Sequence, residues 1–306
     1  MYLGFYKLRE FPFGLSSDER FFYESPIHAE ALANMMYTVQ QRKGMVLITG
    51  EVGAGKTFVG NMLGSRLGPG CLTVMMANPP QSSKQLVRAL AERLGMTVRA
   101  SDDKTHLVGE LERHLVGVKS RGRLVALILD EAQDLSPSSL EEIRLLWNWE
   151  HEGQRLVQIV LIGQSELRQR LAEPKWEPLR QRIVLSYHLR PLTRDDTFAY
   201  ISHRLKVAAD DGCSVEFTVE AKADIYAATD GIPRLINVLC DNALLVGYAK
   251  NSPCIDRAIV GEVLRDMTCW NLQAPEPAPA VPVAPAAPAV STVLAAPVAP
   301  AATQAG

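Results

Sequence analysis

A lysine and a threonine standing together behind three closely spaced glycines can hold phosphate. Gly50-Glu51-Val52-Gly53-Ala54-Gly55-Lys56-Thr57 has that order, in the spacing GxxxxGK[ST]. Glycine lets the backbone turn so sharply that successive N–H groups point at one anion, at the positive end of the helix that follows. Lys56 then reaches the β- and γ-phosphates of a nucleotide, and the Thr57 hydroxyl is a ligand for Mg²⁺. Phe58 completes this expected binding set. A glycine-rich turn with no ligand has the same composition. What separates the two is context: an apolar strand, Met45 to Thr49, runs into the loop and a helical stretch, Phe58 to Leu67, runs out of it.

Hydrolysis needs more than a phosphate cradle. Leu124 to Leu129 is an apolar strand that ends in two carboxylates, Asp130 and Glu131. Downstream of a phosphate loop such neighbours divide the work: Asp130 holds the metal, and Glu131 polarises the attacking water. Without the loop, an Asp-Glu pair reads as a solvated strand end. Gln164 follows the strand ending Val160-Leu161-Ile162-Gly163 and is placed to hold water between Glu131 and the γ-phosphate, although a glutamine there also suits a helix start. Asn78, after the strand ending at Met76, is a weaker candidate for gating Glu131. Arg180 and Arg182 precede the strand Ile183 to Tyr187, and either is a candidate arginine finger for a neighbouring subunit, against the plain alternative of a surface arginine. Arg234, after the rigid turn Gly231-Ile232-Pro233, is expected to reach the nucleotide from a second domain and sense its closure. The expected cofactors are ATP and Mg²⁺.

These side chains need elements to carry them. Apolar runs at Met45 to Thr49, Cys71 to Met76, Leu124 to Leu129, Leu156 to Ile162 and Ile183 to Tyr187 alternate with helical patterns, and nearly continuous apolar strands belong to a parallel sheet covered on both faces. The expected fold is α/β, of the P-loop class: a three-layer αβα parallel sheet. From Thr193 onward only helices are expected, at Arg194 to Ala209, Val219 to Thr229, Arg234 to Lys250 and Ile255 to Asp266. Residues 1–192 then form the core with its aromatic amino-terminal segment, and residues 193–270 a smaller helical lid. The 36 residues from 271 to 306 hold 8 Pro and 13 Ala with Glu276 the only charge, so a disordered tail or linker is expected there.

Composition excludes some classes of function. With 47% hydrophobic and 22% charged residues the chain reads as globular. A net charge of −2 supplies no global attraction to nucleic acid, although Arg190, Arg194, Arg204 and Lys206 could form a local basic surface. Five cysteines without a CxxC pair suggest reduced thiols in a cytoplasm rather than a zinc site. The amino terminus lacks the basic and apolar regions of a secretory signal, and the apolar run Ala278 to Val290 is broken by prolines, so neither a leader nor a membrane span is expected. The aromatic clusters Phe11-Pro12-Phe13 and Phe21-Phe22-Tyr23 are expected to pack, while Pro26, Ile27 and His28 could wall an adenine pocket. His151, His188 and His203 show no catalytic spacing.

Taken together, Met1-Tyr2, Phe5-Tyr6, Phe11-Pro12-Phe13, Phe21-Phe22-Tyr23, His28, Glu30-Ala31-Leu32, the loop Gly50 to Thr57, Leu129-Asp130-Glu131-Ala132-Gln133, Ile162-Gly163-Gln164 and Gly231-Ile232-Pro233-Arg234 resemble the ExeA-like ATPases. This family includes general secretion pathway protein A and the pilus biogenesis ATPase MshM. The resemblance covers residues 1 to about 268 and implies an AAA+-like core. It further implies an ATP-dependent oligomer with other subunits of itself, placed in the cytoplasm at the inner membrane, that assists a secretion or type IV pilus-like assembly protein. Lys56, Thr57, Asp130 and Glu131 match the family's nucleotide and metal positions, and Arg234 matches its lid arginine. Ala54 stands where relatives often have Thr or Ser, a harmless change in a loop that binds through its backbone. Secretion members continue into a membrane span and a cell-wall module, so those properties do not carry over. Two alternatives share the motor: a DNA-binding regulator of the transposition (TnsC/TniB-like) kind, and a nucleotide-switched scaffold. Nucleic acid is the less favoured partner.

Overall fold

The computed structural model describes residues 2–14 and 18–268. The expectation of a disordered tail over 271–306 lies outside the described residues. Strands β1 (Met45–Gly50), β2 (Cys71–Met76), β3 (Leu124–Leu129), β4 (Glu150–His151), β5 (Gln154–Arg155), β6 (Gln158–Gly163) and β7 (Ile183–Leu189) alternate with helices α1 (Tyr2–Tyr6), α2 (Pro26–Gln40), α3 (Lys56–Arg66), α4 (Ser83–Arg93), α5 (Lys104–Ser120), α6 (Pro137–Asn148), α7 (Ser165–Ala172) and α8 (Glu177–Arg180). Five of the strands form one sheet in the order β2-β3-β6-β1-β7, with every pairing parallel. The remaining two, β4 and β5, make an antiparallel hairpin.

Strand side chains alternate between two apolar layers, as a pleated sheet requires. Met45, Leu47, Leu127, Leu129, Ile159 and Leu161 pack with α4 to α7. Their neighbours Val46, Ile48, Ala126, Ile128, Val160 and Ile162 pack with α2 and α3 on the opposite face. The result is the expected αβα sandwich. Strand β1 lies between β6 and β7, yet the chain leaves it for β2 at the far edge. That reversal opens a crevice beyond the carboxyl ends of the strands, where ligands bind in such sheets. Gly50 ends β1 level with Leu189 of β7, and Gly163 ends β6 level with Thr49, while Leu129 of β3 pairs with Leu161. One register therefore brings the phosphate loop, the acid pair and Gln164 to the same rim.

Helices α9 (Arg194–Ala208), α10 (Val219–Thr229), α11 (Pro233–Ala249) and α12 (Arg257–Thr268) build a second apolar core. The helices-only expectation needs a correction: β8 (Glu216–Phe217) and β9 (Cys254–Ile255) form a short parallel pair that ties the start of α10 to the start of α12. Two-residue strands are too short to show any periodicity. The amino-terminal segment also sits elsewhere than its assignment to residues 1–192 implies. Tyr2, Tyr6, Leu8, Phe13 and Phe21 are buried in the helical core. Tyr6 donates to the carbonyl of Leu244 at 3.1 Å, and Arg9 N donates to Ala208 O at 2.8 Å.

Capping differs around the crevice. Ser25, Ser82, Asp103, Ser136, Thr193 and Thr218 each accept a hydrogen bond from the first turn of their helix. The three helices that begin at the crevice do not follow this rule: α3 starts at Gly55, α7 at Gln164 and α11 at Ile232, none with a side-chain cap. At α3 and α7 the first N–H groups lack a side-chain acceptor, whereas α11 opens on Pro233, which has no N–H, and Arg234 N donates to Gly53 O.

Candidate active site

The phosphate loop is shaped by two left-handed glycines, Gly53 at φ +82° and Gly55 at φ +92°. Side chains are excluded on steric grounds too: a Cβ on Gly50 would lie 2.7 Å from Leu189 O, and one on Gly53 2.8 Å from the Cβ of Arg234. Lys56 is 6% exposed and its ammonium curls back to Gly50 O at 3.0 Å and Glu51 O at 2.7 Å. Burial lowers its pKa against the pull of Glu131 and Asp130. Next to it, the Thr57 hydroxyl donates to Asp130 Oδ2 at 2.5 Å. Asp130 is 2% exposed, and burial raises its pKa despite the bonds from Thr57 and from the backbone N–H of Glu131. A buried ammonium and a buried carboxylate, each with its charged form disfavoured, are relieved together by a phosphate and a divalent cation. Thr57 and Asp130 offer adjacent hard oxygen donors, so this pair fits Mg²⁺.

Glu131 stands in the left-handed region at φ +49° and lines the same cavity of about 420 Å³ as Lys56, Thr57 and Gln164. Its Oε2 accepts a hydrogen bond from Gln133 Nε2 at 2.7 Å, and the Gln164 amide stands 3.5 Å from the same oxygen. Gln164 thus stands beside the acid. Asn78 is exposed at the end of β2, and the donors to Glu131 come instead from Gln133 and Gln164.

Helices α9 and α11 supply the opposite wall. Arg234 N donates to Gly53 O at 3.3 Å, and Arg234 lines the cavity with Tyr200, Arg204 and Asn237. Tyr200 donates to Asn237 Oδ1 at 2.8 Å and accepts from Arg204 at 2.7 Å. Arg204, 4% exposed, also donates to Pro12 O at 2.6 Å and Gly14 O at 2.9 Å. It therefore clamps the amino-terminal segment to the cavity edge and does not belong to a basic surface. An adjoining apolar slot runs between Phe22, Tyr23, His28, Phe58, Leu192 and Pro233. Phe22 stacks on Phe58 at 5.1 Å, and Phe22 meets the His28 ring edge-on. So Phe13 and Phe21 pack as expected while Phe11 is exposed, and Phe22 and Tyr23 border the slot with His28.

Arg180 and Arg182 are not at this site. Arg180 donates to Leu171 O and Ala172 O, closing the end of α7. Arg182 donates to Asn148 Oδ1 at 3.2 Å and to Pro178 O, with its guanidinium over the Trp147 ring. Sequence reasoning gave no role to Gln133, Tyr200 or Asn237. Only Gln133, next to the acid pair, carried a signal that could have been followed.

Comparison with known proteins supplies the remaining observations. Residues 39–171 match the AAA domain family. General secretion pathway protein A of Aeromonas hydrophila is 39% identical over 253 residues, covering 82% of this chain and 46% of that protein. The chain spans less than half the length of the curated relatives it matches. Among solved structures, Cdc6p of Pyrobaculum aerophilum aligns with a TM-score of 0.64 at 17% identity, over 83% of this chain and 70% of that one. The ORC2 protein of Aeropyrum pernix, solved in ADPNP-ADP complexes, aligns with a TM-score of 0.61 at 18% identity, over 83% of this chain and 73% of that one. At these identities the two structures show a shared fold. Among the described residues no helix is long and apolar enough to cross a membrane.

Proposed function

We propose, from 39% identity over 82% of the chain to general secretion pathway protein A and from the AAA domain match, that the chain is an ExeA-like AAA ATPase that hydrolyses ATP with Mg²⁺ and uses the cycle to drive assembly of a secretion or type IV pilus-like apparatus. The observation that carries the reading is the convergence of Lys56, Thr57, Glu131 and Gln164 on one cavity, with Asp130 hydrogen-bonded to Thr57 behind it and the uncapped start of α3 beside it. Backbone N–H groups of the loop and the Lys56 ammonium hold the β- and γ-phosphates. Thr57 and Asp130 hold Mg²⁺, which neutralises charge on the phosphate oxygens when bound. Glu131 polarises a water and takes up its proton as the water oxygen attacks the γ-phosphorus, and Gln164 holds that water in line. ADP leaves as the bond from its β-phosphate oxygen to the γ-phosphorus breaks.

Arg234 couples the nucleotide to the lid, because its backbone already touches the phosphate loop at Gly53. Closing and opening of the lid would then reshape the surface offered to neighbouring subunits of the same chain and to the assembly partner. The partner is taken from the relative of which this chain matches 46%. Pilus assembly is the narrower form of the same reading, with the chain in the cytoplasm, peripheral to the inner membrane.

The test is ATP turnover by wild type, Glu131→Gln and Lys56→Ala, with and without duplex DNA. Glu131→Gln should bind ATP normally and turn over about 10²- to 10⁴-fold more slowly. Lys56→Ala should weaken ATP binding about 10- to 150-fold, the equivalent of one charged hydrogen bond. Equal turnover by wild type and Glu131→Gln would remove Glu131 from the mechanism. Strong stimulation by DNA would replace the secretion reading with the transposition-regulator one.

A further inference from the structure

Gln133 uses both ends of its amide inside the active site. Its Nε2 donates to Glu131 Oε2 at 2.7 Å, and its Oε1 accepts the backbone N–H of Gln164 at 3.0 Å. One side chain thus bridges the acid at the end of β3 and the start of α7, beyond the end of β6. The backbone makes room for it: a Cβ on Gly163 would lie 2.8 Å from Gln133 Oε1 and 3.3 Å from Gln133 N. Any larger residue at 163 would push the amide out.

The loop that carries Gln133 is held by other bonds. Asp134 N donates to Glu131 O at 3.0 Å, and Leu135 N donates to Ala132 O at 3.3 Å. From α7, Arg170 Nη1 donates to Gln133 O at 3.1 Å and to Leu135 O at 2.5 Å. These bonds use the backbone of residues 131–135 and need no glutamine side chain. The Gln133 amide therefore acts chiefly on Glu131 and Gln164, with only a longer 3.5 Å contact from its Nε2 to Asp134 Oδ2 besides. Glu131 itself, a non-glycine residue at φ +49°, is pointed by its backbone toward that amide.

We propose that Gln133 is a positioning residue for turnover, which ties the Glu131 carboxylate to the start of α7 so that Glu131 and Gln164 move as one unit. This rests on the ATPase reading above. A donor on one carboxylate oxygen limits the rotation of the group, so the other oxygen presents a fixed direction to water. Gln164 takes its place in the same unit through its own backbone N–H. Nothing in the bridge touches Lys56 or Thr57, so ATP affinity should not depend on it.

Three measurements test the bridge on the whole chain: steady-state ATP turnover, binding of a fluorescent ATP analogue, and hydrogen exchange at the Gln164 amide in the nucleotide-free protein. Gln133→Ala should lower kcat about 10- to 100-fold, the range for one charge-assisted hydrogen bond. KM and analogue affinity should stay within about threefold of wild type, and Gln164 N–H should exchange faster. Gln133→Glu keeps an acceptor for that N–H but loses the donor to Glu131, so it should keep slow exchange and still lose kcat at least as severely. Wild-type kcat in both variants, or unchanged exchange in Gln133→Ala, would overturn the proposal. A kcat loss matched by lost affinity would overturn it too, by making Gln133 a support of the phosphate loop. Wild type and Glu131→Gln run beside them: absence of turnover in wild type would sink the ATPase reading and equal turnover in the two would remove only Glu131 from it, whereas the exchange result still decides the bridge.

Discussion

His28 shows how much one side chain outside the chemistry can control at this site. It is 4% exposed, its Nδ1 is 2.6 Å from Ser25 Oγ, and its Nε2 would stand 3.7 Å from a Cβ placed on Gly55. Burial holds its pKa below the usual histidine range, with weaker opposing effects from the Ala54 backbone, Asp196 and Glu24. In the unfolded chain the ring takes a proton near pH 6.5, while in the folded chain it resists until lower pH. The stability that comes from keeping His28 neutral is therefore complete above about pH 6.5 and is lost as pH falls through the folded value, at up to about 1.4 kcal/mol per pH unit. Urea unfolding between pH 7.5 and 5 should show a steeper loss for wild type than for His28→Gln; parallel curves would clear His28. At this scale the phosphate loop was legible because its glycines are demanded by backbone geometry, whatever surrounds them. Gln133, Tyr200 and Asn237 were not, because their partners are set by how a loop and a lid happen to meet in space.

At the scale of elements, the join between the sheet and helices α9 to α12 depends on Gly231. Its φ is +73° and a Cβ there would lie 2.0 Å from Leu192 O, while Leu192 N donates to Gly231 O at 2.9 Å. Gly231 is the residue that lets α11 start against the phosphate loop. Gly122 provides the comparison, since its φ is +74° and nothing lies within 4 Å of its would-be Cβ. Gly122→Ala should lose only the left-handed strain of about 1–2 kcal/mol. Gly231→Ala adds a clash with backbone that the Leu192–Gly231 bond cannot survive, for a total of more than about 3 kcal/mol. Equal urea midpoints for the two variants would show that the join yields freely. The Gly231-Ile232-Pro233 stop was readable in advance, as were the sheet strands, because both rest on local chemistry. The β8–β9 pair and the docking of α1 on α11 were not, since each depends on a partner more than 30 residues away in the chain.

At the scale of the whole molecule, the placement of Arg180 and Arg182 decides how they can act. Strand β7 pairs with β1 so that Ile183 lies beside Met45 and Leu189 beside Gly50. Six strand steps of about 3.3 Å separate the start of β7 from the phosphate loop, roughly 20 Å. Arg182 also projects among Asn148 and Trp147 on α6, and Arg180 closes α7. A role in hydrolysis for either arginine therefore requires the site of a second subunit, presented in a head-to-tail interface. Arg182→Ala should bind ATP but fail to turn it over, because its own loop is intact and its neighbour's site lacks the finger. Glu131→Gln has the opposite defect: a dead site, and an intact arginine to offer. Mixed one to one, the two inactive chains should recover about a quarter of wild-type turnover, the share of interfaces that join a live site to an intact finger under random assembly. Running Arg180→Ala in the same assay identifies which arginine acts, since only the true finger variant is rescued. No recovery from either mixture would confine both arginines to the packing they show within one chain, closing α7 and bracing α6.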